Sequence, residues 1–242
     1  MTAARVGHIL FRTRDAIVPV VLLAAAFGTR PHVVAASVRA DHLVDAFGAA
    51  VSFGGQAIRT LVIGLVYITR GGQNRRIWAS SLVEDGIFAH CRNPMYIGNL
   101  LLVIGLAVVH NGWAMYLIVL PLFVLAYVSI VSAEEEYLRS RFGDAYVEYC
   151  RRVPRWIPSV RGLFTTIRSS RFDWRKVLRK EYGTPFAWVS GLLLLLVWEH
   201  QGPSAAPMSR FELRLIVAAW IAAAAAYLTA RRLKLSGRLG TT

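Results

Sequence analysis

Trp113–Ala133 reads WAMYLIVLPLFVLAYVSIVSA, 21 residues without a charged side chain. About 20 apolar residues in a helix cross the roughly 30 Å hydrocarbon layer of a bilayer, so this block reads as a transmembrane span. Just before it, the turn pair Asn111-Gly112 separates it from a second apolar block, Tyr96–His110, which is barely long enough to cross. Two apolar helices joined by two residues form an antiparallel hairpin. Working outward, further apolar blocks lie at Ala16–Gly28, which is short, and at Ala46–Thr69, Thr184–Trp198 and Leu213–Ala230. The expectation is an all-α fold, a polytopic membrane helical bundle of about six transmembrane helices.

Charge placement fits this reading. The 242 residues carry 28 Lys+Arg and 14 Asp+Glu, a net of +14, and 55% are apolar. Such a surplus usually suggests nucleic acid, but a mean hydropathy of +0.46 argues against a soluble nucleic-acid binder. With both termini cytoplasmic, segments 1–15, 70–95, 134–183 and 231–242 hold 23 of the 28 basic residues, a strong positive-inside bias. The expected setting is a bacterial inner membrane, with the termini and the polar site on the cytoplasmic side. Arg5, Arg12 and Arg14 before the short first block also fit a cleaved secretory leader, which would leave residues 30–45 as an outer tail. Only Cys91 and Cys150 occur, so no disulfide framework is expected.

Within the second block, Gly48, Ser52 and Gln56 recur every four residues and read as a small-residue packing face. Arg59 in the same block either reaches a headgroup boundary or faces a polar cavity inside the bundle.

The chemistry is expected in two polar segments on one side of the hairpin. The first runs from Glu84 to Asn99 and contains Arg92-Asn93-Pro94-Met95-Tyr96-Ile97-Gly98. Pro94 suits the first turn of a helix, which puts Arg92 and Asn93 at its mouth beside free backbone N–H groups, a site for a carboxylate or phosphate. Tyr96 and Asn99 are one turn apart and can share a face. The second segment begins with Glu134-Glu135-Glu136, read as three carboxylates at a helix C-terminus, against both the helix dipole and the positive-inside trend. Carboxylates there could hold a cationic or amino-bearing ligand or the hydroxyls of a ribose. A zwitterionic amino acid, or a cofactor carrying one, fits the two segments together. No Gly-rich strand–helix loop accompanies them, which excludes a Rossmann site. His90, Cys91 and Cys150 lack zinc-ligand spacing, so no metal is expected.

These residues resemble a known family. Arg92–Gly98 is similar to the Arg-His-Pro-x-Tyr-x-Gly motif of the isoprenylcysteine carboxyl methyltransferase and phospholipid methyltransferase superfamily. Glu134-Glu135-x-x-Leu138, then Phe142-Gly143, Tyr146, Tyr149 and Pro154-Arg155-Trp156-Ile157-Pro158, resembles its second motif. The resemblance covers 44–160. It implies an integral membrane methyltransferase that uses S-adenosylmethionine in a cytosol-facing pocket, with a lipid-like acceptor entering from the bilayer. By motif position it implies that Arg92, Asn93, Tyr96, Gly98, Glu134 and Glu135 bind the cofactor. Arg155 and Tyr146 would close the site or meet the acceptor, and Glu135 and Tyr146 are the candidates to receive a proton from an amine acceptor. The family's histidine is Asn93 here, which can donate a hydrogen bond but cannot take a proton.

The chain therefore divides into an N-terminal segment with the first span (1–43), a methyltransferase core (44–160), a basic interfacial segment (161–183), and two further helices with a basic tail (184–242). Residues 139–180 carry a net of +9, and their Phe164, Phe172, Trp174 and Leu178 interleave with Arg and Lys. This reads as a surface helix against anionic headgroups. That surface favours a phospholipid amine over a prenylcysteine carboxylate as acceptor. Membrane lipids are the expected partners, and Ala222–Ala226 permits close packing or a homodimer contact. The rival readings are an NADPH-dependent membrane reductase of the sterol reductase type, and a non-enzymatic transporter or scaffold.

Overall fold

A computed structural model describes residues 3–31, 38–66, 70–73, 76–79, 81–201 and 207–239. It is helical: α1 (Ala3–Gly28), α2 (Val38–Leu65), α3 (Pro94–His110), α4 (Leu120–Phe142), α5 (Asp144–Arg152), α6 (Leu163–Ser169), α7 (Trp174–Glu181), α8 (Gly183–Glu199) and α9 (Arg210–Leu235). Between α2 and α3 the chain forms a small antiparallel hairpin, β1 (Arg70–Gln73) and β2 (Arg76–Ala79), with Arg70 opposite Ala79 and Gly72 opposite Ile77. Three helical segments are long and apolar enough to cross a membrane: Arg39–Leu65, Met115–Phe142 and Arg210–Leu235. Pro94–His110 and Gly183–Glu199 are shorter apolar helices.

Local chemistry sets the hairpin of α3 and α4. Pro94 occupies the first turn of α3, where its missing N–H costs no hydrogen bond. The helix stops at Asn111, whose φ of 48° is left-handed and whose N–H still reaches Ala107 O. A Cβ on Gly112 would lie 2.6 Å from the His110 ring, so the turn has no room for a side chain there. The next helix opens with a wide π turn over Met115–Val119. Pro121 follows directly, and the wide turn absorbs the proline ring that would otherwise press on the preceding turn. Gly143, at φ 53°, ends α4.

The two legs of this hairpin lean on different partners. α3 packs most closely on α2, and α4 on α1. Glycines allow the first contact: a Cβ on Gly55 would lie 2.6 Å from Gly98 O, and one on Gly98 2.8 Å from Gly55 O. Ser52 Oγ donates to Leu102 O at 3.2 Å. Gly48 and Ser52 thus form the expected packing face, but Gln56 does not belong to it. Its amide oxygen accepts from Trp188 Nε1 at 3.0 Å, and its nitrogen donates to Glu181 at 3.1 Å. The main core joins Phe11 and Ala26 of α1 to Phe123, Tyr127 and Ile130 of α4 and to Trp188, Leu192 and Leu195 of α8.

Arg59 does not face an open cavity. Its guanidinium grips Glu181 of α7 through Nε–Oε1 at 2.5 Å and Nη2–Oε2 at 2.8 Å, and it also donates to Asn99 and Thr184. Side-chain exposures of 11% and 3% make this a buried pair. It ties α2, α3, α7 and the start of α8 together.

Two other expectations are corrected. Residues 139–180 do not form one surface helix. Pro154, Pro158 and Gly162 interrupt the chain, and Asp173 caps a fresh start at α7 by accepting from Lys176 N–H. Lys176 is buried rather than interfacial, its ammonium donating to Val66 O at the end of α2. Burial pushes its pKa below the ordinary lysine value. Nor do Glu134–Glu136 sit at a helix C-terminus. α4 continues through YLRSRF to Phe142, since no glycine or proline stops it before Gly143.

Candidate active site

A charged site is assembled here from three pieces: the residues leading into α3, the last turns of α4, and an extended strap, 153–159, after α5. The strap is stitched to the 90–93 segment along its length. Arg92 N–H donates to Pro154 O at 3.0 Å, and Ser159 N–H to His90 O at 2.9 Å. Asn93 Nδ2 donates to Arg155 O at 3.1 Å. His90 Nδ1 lies 3.0 Å from Ser159 O. A carbonyl only accepts, so that nitrogen carries the proton and Nε2 accepts from Thr166 Oγ1 at 2.8 Å. Underneath, Tyr149 OH donates to Phe88 O at 2.8 Å, which anchors α5 to the same segment.

On this frame two carboxylates of α4 receive different partners. Tyr96 OH donates to Glu134 Oε1 at 2.7 Å, with the Tyr96 ring tilted against Tyr127. Glu135 lies between two guanidiniums. Arg92 Nη1 approaches its Oε1 at 3.1 Å, and Arg155 Nη2 its Oε2 at 3.0 Å. Arg155 also donates to Ser132 Oγ at 3.0 Å. Glu136 is exposed. Side-chain exposures of 15% to 31% across the Arg92–Glu135–Arg155 group place it at the surface of the bundle, open to exchange with a ligand.

The structure thus brings Arg92, Tyr96, Glu134, Glu135 and Arg155 together. Asn93 and Gly98 point elsewhere. Asn93 is buried and holds the strap, and Gly98 lies against Gly55 and Arg59 of α2. Residues two apart on a helix diverge by roughly 200°, so Tyr96 and Gly98 cannot both face α4. Asn99, one turn on from Tyr96, accepts from Arg59 instead. The expected free N–H groups at the mouth of α3 are also partly spent, because the strap carbonyl of Pro154 takes that of Arg92.

Tyr146 is 1% exposed and lies within electrostatic reach of Glu135, Cys150 and Arg92. Burial first, and the charge of Glu135 second, push its pKa above the ordinary phenol value, so it stays neutral. Burial acts to lower the pKa of Arg92, but Glu135 and its other neighbours outweigh it and raise the value. Arg92 therefore stays charged. Burial likewise pushes up the Cys91 thiol, whose Sγ faces Arg155 O and Trp156 O.

Sequence reasoning missed Ser132, Cys150 and His90. Cys150 receives Arg92 Nη1 at 2.7 Å, and all three act by orienting another residue of the site. Only their spacing relative to the two motifs could have signalled them.

A charged guanidinium–carboxylate group thus sits at one end of a hairpin of apolar helices, and among the described residues the one sheet is the two-stranded β1–β2 hairpin. Residues 46–145 match the family model described as phospholipid methyltransferase. Over this stretch, about two fifths of the chain, it is similar to the membrane methyltransferases of the phospholipid and isoprenylcysteine type. It is 33% identical over 79 residues to the protein-S-isoprenylcysteine O-methyltransferase of Schizosaccharomyces pombe, covering 33% of this chain and 34% of that one. It is also 33% identical over 79 residues to the cobalt-zinc-cadmium resistance protein CzcN of Cupriavidus metallidurans, covering 33% and 36%. To the nickel-cobalt-cadmium resistance protein NccN of Alcaligenes xylosoxydans xylosoxydans it is 25% identical over 107 residues, covering 40% and 49%. The matched stretches thus span about a third to a half of these relatives. No solved structure matches the chain.

Proposed function

We propose that the protein is an integral membrane methyltransferase that uses S-adenosylmethionine to methylate a lipid-like acceptor, with a phospholipid amine favoured over a prenylcysteine carboxylate. The proposal includes six spans, cytoplasmic termini and a cytoplasmic site in a bacterial inner membrane. One observation carries it: two successive carboxylates of α4 take different polar partners, Glu134 the Tyr96 hydroxyl and Glu135 the guanidiniums of Arg92 and Arg155.

The donor set suits the cofactor. Its amino acid moiety is a zwitterion, which matches carboxylates next to guanidiniums. Arg92 and Arg155 would take the carboxylate, and Glu134 and Glu135 the ammonium or ribose hydroxyls. When bound, the cofactor supplies an activated methyl group on a sulfonium, so the protein's main task is to hold donor and acceptor in line. Tyr96 orients Glu134, and the strap, fixed by Asn93, orients Arg155 over Glu135. An amine acceptor must lose a proton, and Glu135 is the carboxylate placed to receive it. Tyr146, buried and neutral, acts as a positioning residue beside Arg92.

The lipid reading draws on α6 and α7, which expose Phe164 and Trp174 beside Arg168, Arg171, Arg175 and Lys180. The deciding experiment is transfer of labelled methyl from S-adenosylmethionine into total bacterial lipid and into a prenylcysteine analogue, with products separated. Label in a phospholipid amine is the expected result. Label in the prenylcysteine alone changes the acceptor. No label, with a thermal shift from NADPH and none from S-adenosylmethionine, replaces the reading with a reductase.

A further inference from the structure

At the opposite end of α2 from Arg59, about 27 Å away by helix rise, three carboxylates meet. Asp41 and Asp45 lie one turn apart on α2, and Glu199 ends α8. One carboxylate oxygen from each lies within 4.8 Å of the other two. Surface acids cluster often, but Glu199 is not a surface acid. It is 7% exposed, and its buried Oε1 has no hydrogen-bond partner. A buried carboxylate with one oxygen lacking a donor, gathered with two further carboxylates, is costly unless a cation or a shared proton joins them. The site's electrostatics point the same way. Glu199 stands at the C-terminus of α8, where the last carbonyls add negative potential.

Histidines flank the cluster. His42 and His200 are both near enough to act on the Asp45 carboxylate. His200 Nδ1 donates to Leu196 O at 2.8 Å, so Nε2 keeps its lone pair. We infer that Asp41, Asp45 and Glu199 form a binding site for a divalent cation, separate from the candidate active site. Three carboxylates with imidazoles at the rim suit a hard or borderline ion of the Mn²⁺ type better than a soft one. The site closes α2 against α8, so its occupancy stiffens the membrane face away from the strap.

The test uses the full chain in detergent, with MnCl2 as the probe and CaCl2 and ZnCl2 in parallel arms. Calorimetry is expected to show one Mn²⁺ per chain, with an upward shift in thermal midpoint of about 3 °C at saturation. Glu199→Gln and Asp45→Asn each keep side-chain size and should weaken Mn²⁺ binding at least about tenfold. Glu148→Gln, on the exposed surface of α5, should bind as wild type does. If Glu199→Gln fails to fold, Asp45→Asn and the Mn²⁺ electron paramagnetic resonance signal of wild type carry the test. Tighter binding of Ca²⁺ or Zn²⁺ at the same three carboxylates supports the site and changes the ion. No one-to-one binding of any of the three ions overturns it. So does a Glu199→Gln variant that is more stable than wild type and indifferent to cations, which would mean that the carboxylates share a proton. Methyl transfer and S-adenosylmethionine binding are not read, so failure here leaves the proposed function standing.

Discussion

Arg59 and Glu181 retain 11% and 3% of their side-chain exposure, whereas Arg155 and Glu135 retain 31% and 19%. Both are guanidinium–carboxylate contacts near 3 Å or closer, yet they sit in different solvents. A buried pair loses its hydration, and removing either partner strands the other charge. A half-exposed pair keeps water on one side and can trade partners at little cost. The first therefore acts as a fixed joint between α2 and α7, and the second as a set of charges that a ligand can take over.

The comparison can be broken most decisively at the joint. Glu181→Ala should destabilise the protein by about 3–5 kcal/mol by leaving Arg59 unpaired, seen as a large fall in the detergent thermal midpoint. The pair Arg59→Met with Glu181→Leu should regain most of that loss. If the single change costs no more than a surface substitution, the joint is not buried in solution. Next comes the contact beside it. Gly98→Leu would drive a side chain into Gly55 O and the Arg59 stem, at a cost of about 1–3 kcal/mol or more. A stability equal to wild type would show that α2 and α3 do not approach as described.

At the exchangeable pair the effects should shift from stability to binding. Glu135→Gln should leave the thermal midpoint within a few degrees but weaken S-adenosylmethionine binding by about 2 kcal/mol, roughly 30-fold, by calorimetry. Unchanged affinity would detach Glu135 from the cofactor. Tyr96→Phe removes one donor to Glu134 and should cost about 1 kcal/mol in the same assay, with the aromatic packing on Tyr127 retained. Smallest of all, Arg152→Ala breaks an exposed pair with Glu84 and should change stability by less than about 0.5 kcal/mol. A larger loss would mean that exposure is a poor guide to these pairs.

Local patterns carried much of this architecture into the sequence. Apolar blocks, a turn pair and Pro94 locate α3 and α8 to within two residues and α9 to within five, because hydrophobic periodicity and helix caps are short-range, whereas α4 runs nine residues past its apolar block. The starts of α2 and α4 were harder. Asp41, His42 and Asp45 look like loop residues until α8 is seen to cover them, and the wide turn at Met115–Val119 leaves no compositional trace. At the site, the two motifs identify Arg92, Tyr96, Glu134, Glu135 and Arg155 as candidates. Their grouping depends on a strap whose bonds are backbone to backbone, and backbone groups have no sequence signature. Glu181 was invisible for a different reason. It lies 122 residues from Arg59, inside a basic stretch that reads as a surface. Gly98 misled because a motif position names a residue without saying which helix face it occupies.

The distance in sequence between Arg59 and Glu181 has a consequence for how the chain is made. At about 5–20 residues per second, the ribosome needs roughly 6–25 seconds to deliver the glutamate after the arginine. An α2 inserted as a span during that interval would carry a guanidinium whose permanent partner does not yet exist. A temporary counterion, a lipid phosphate or the translocon's own polar channel, must stand in. Insertion of this protein should therefore be sensitive to the anionic lipid content of the membrane at a stage when the folded chain no longer is.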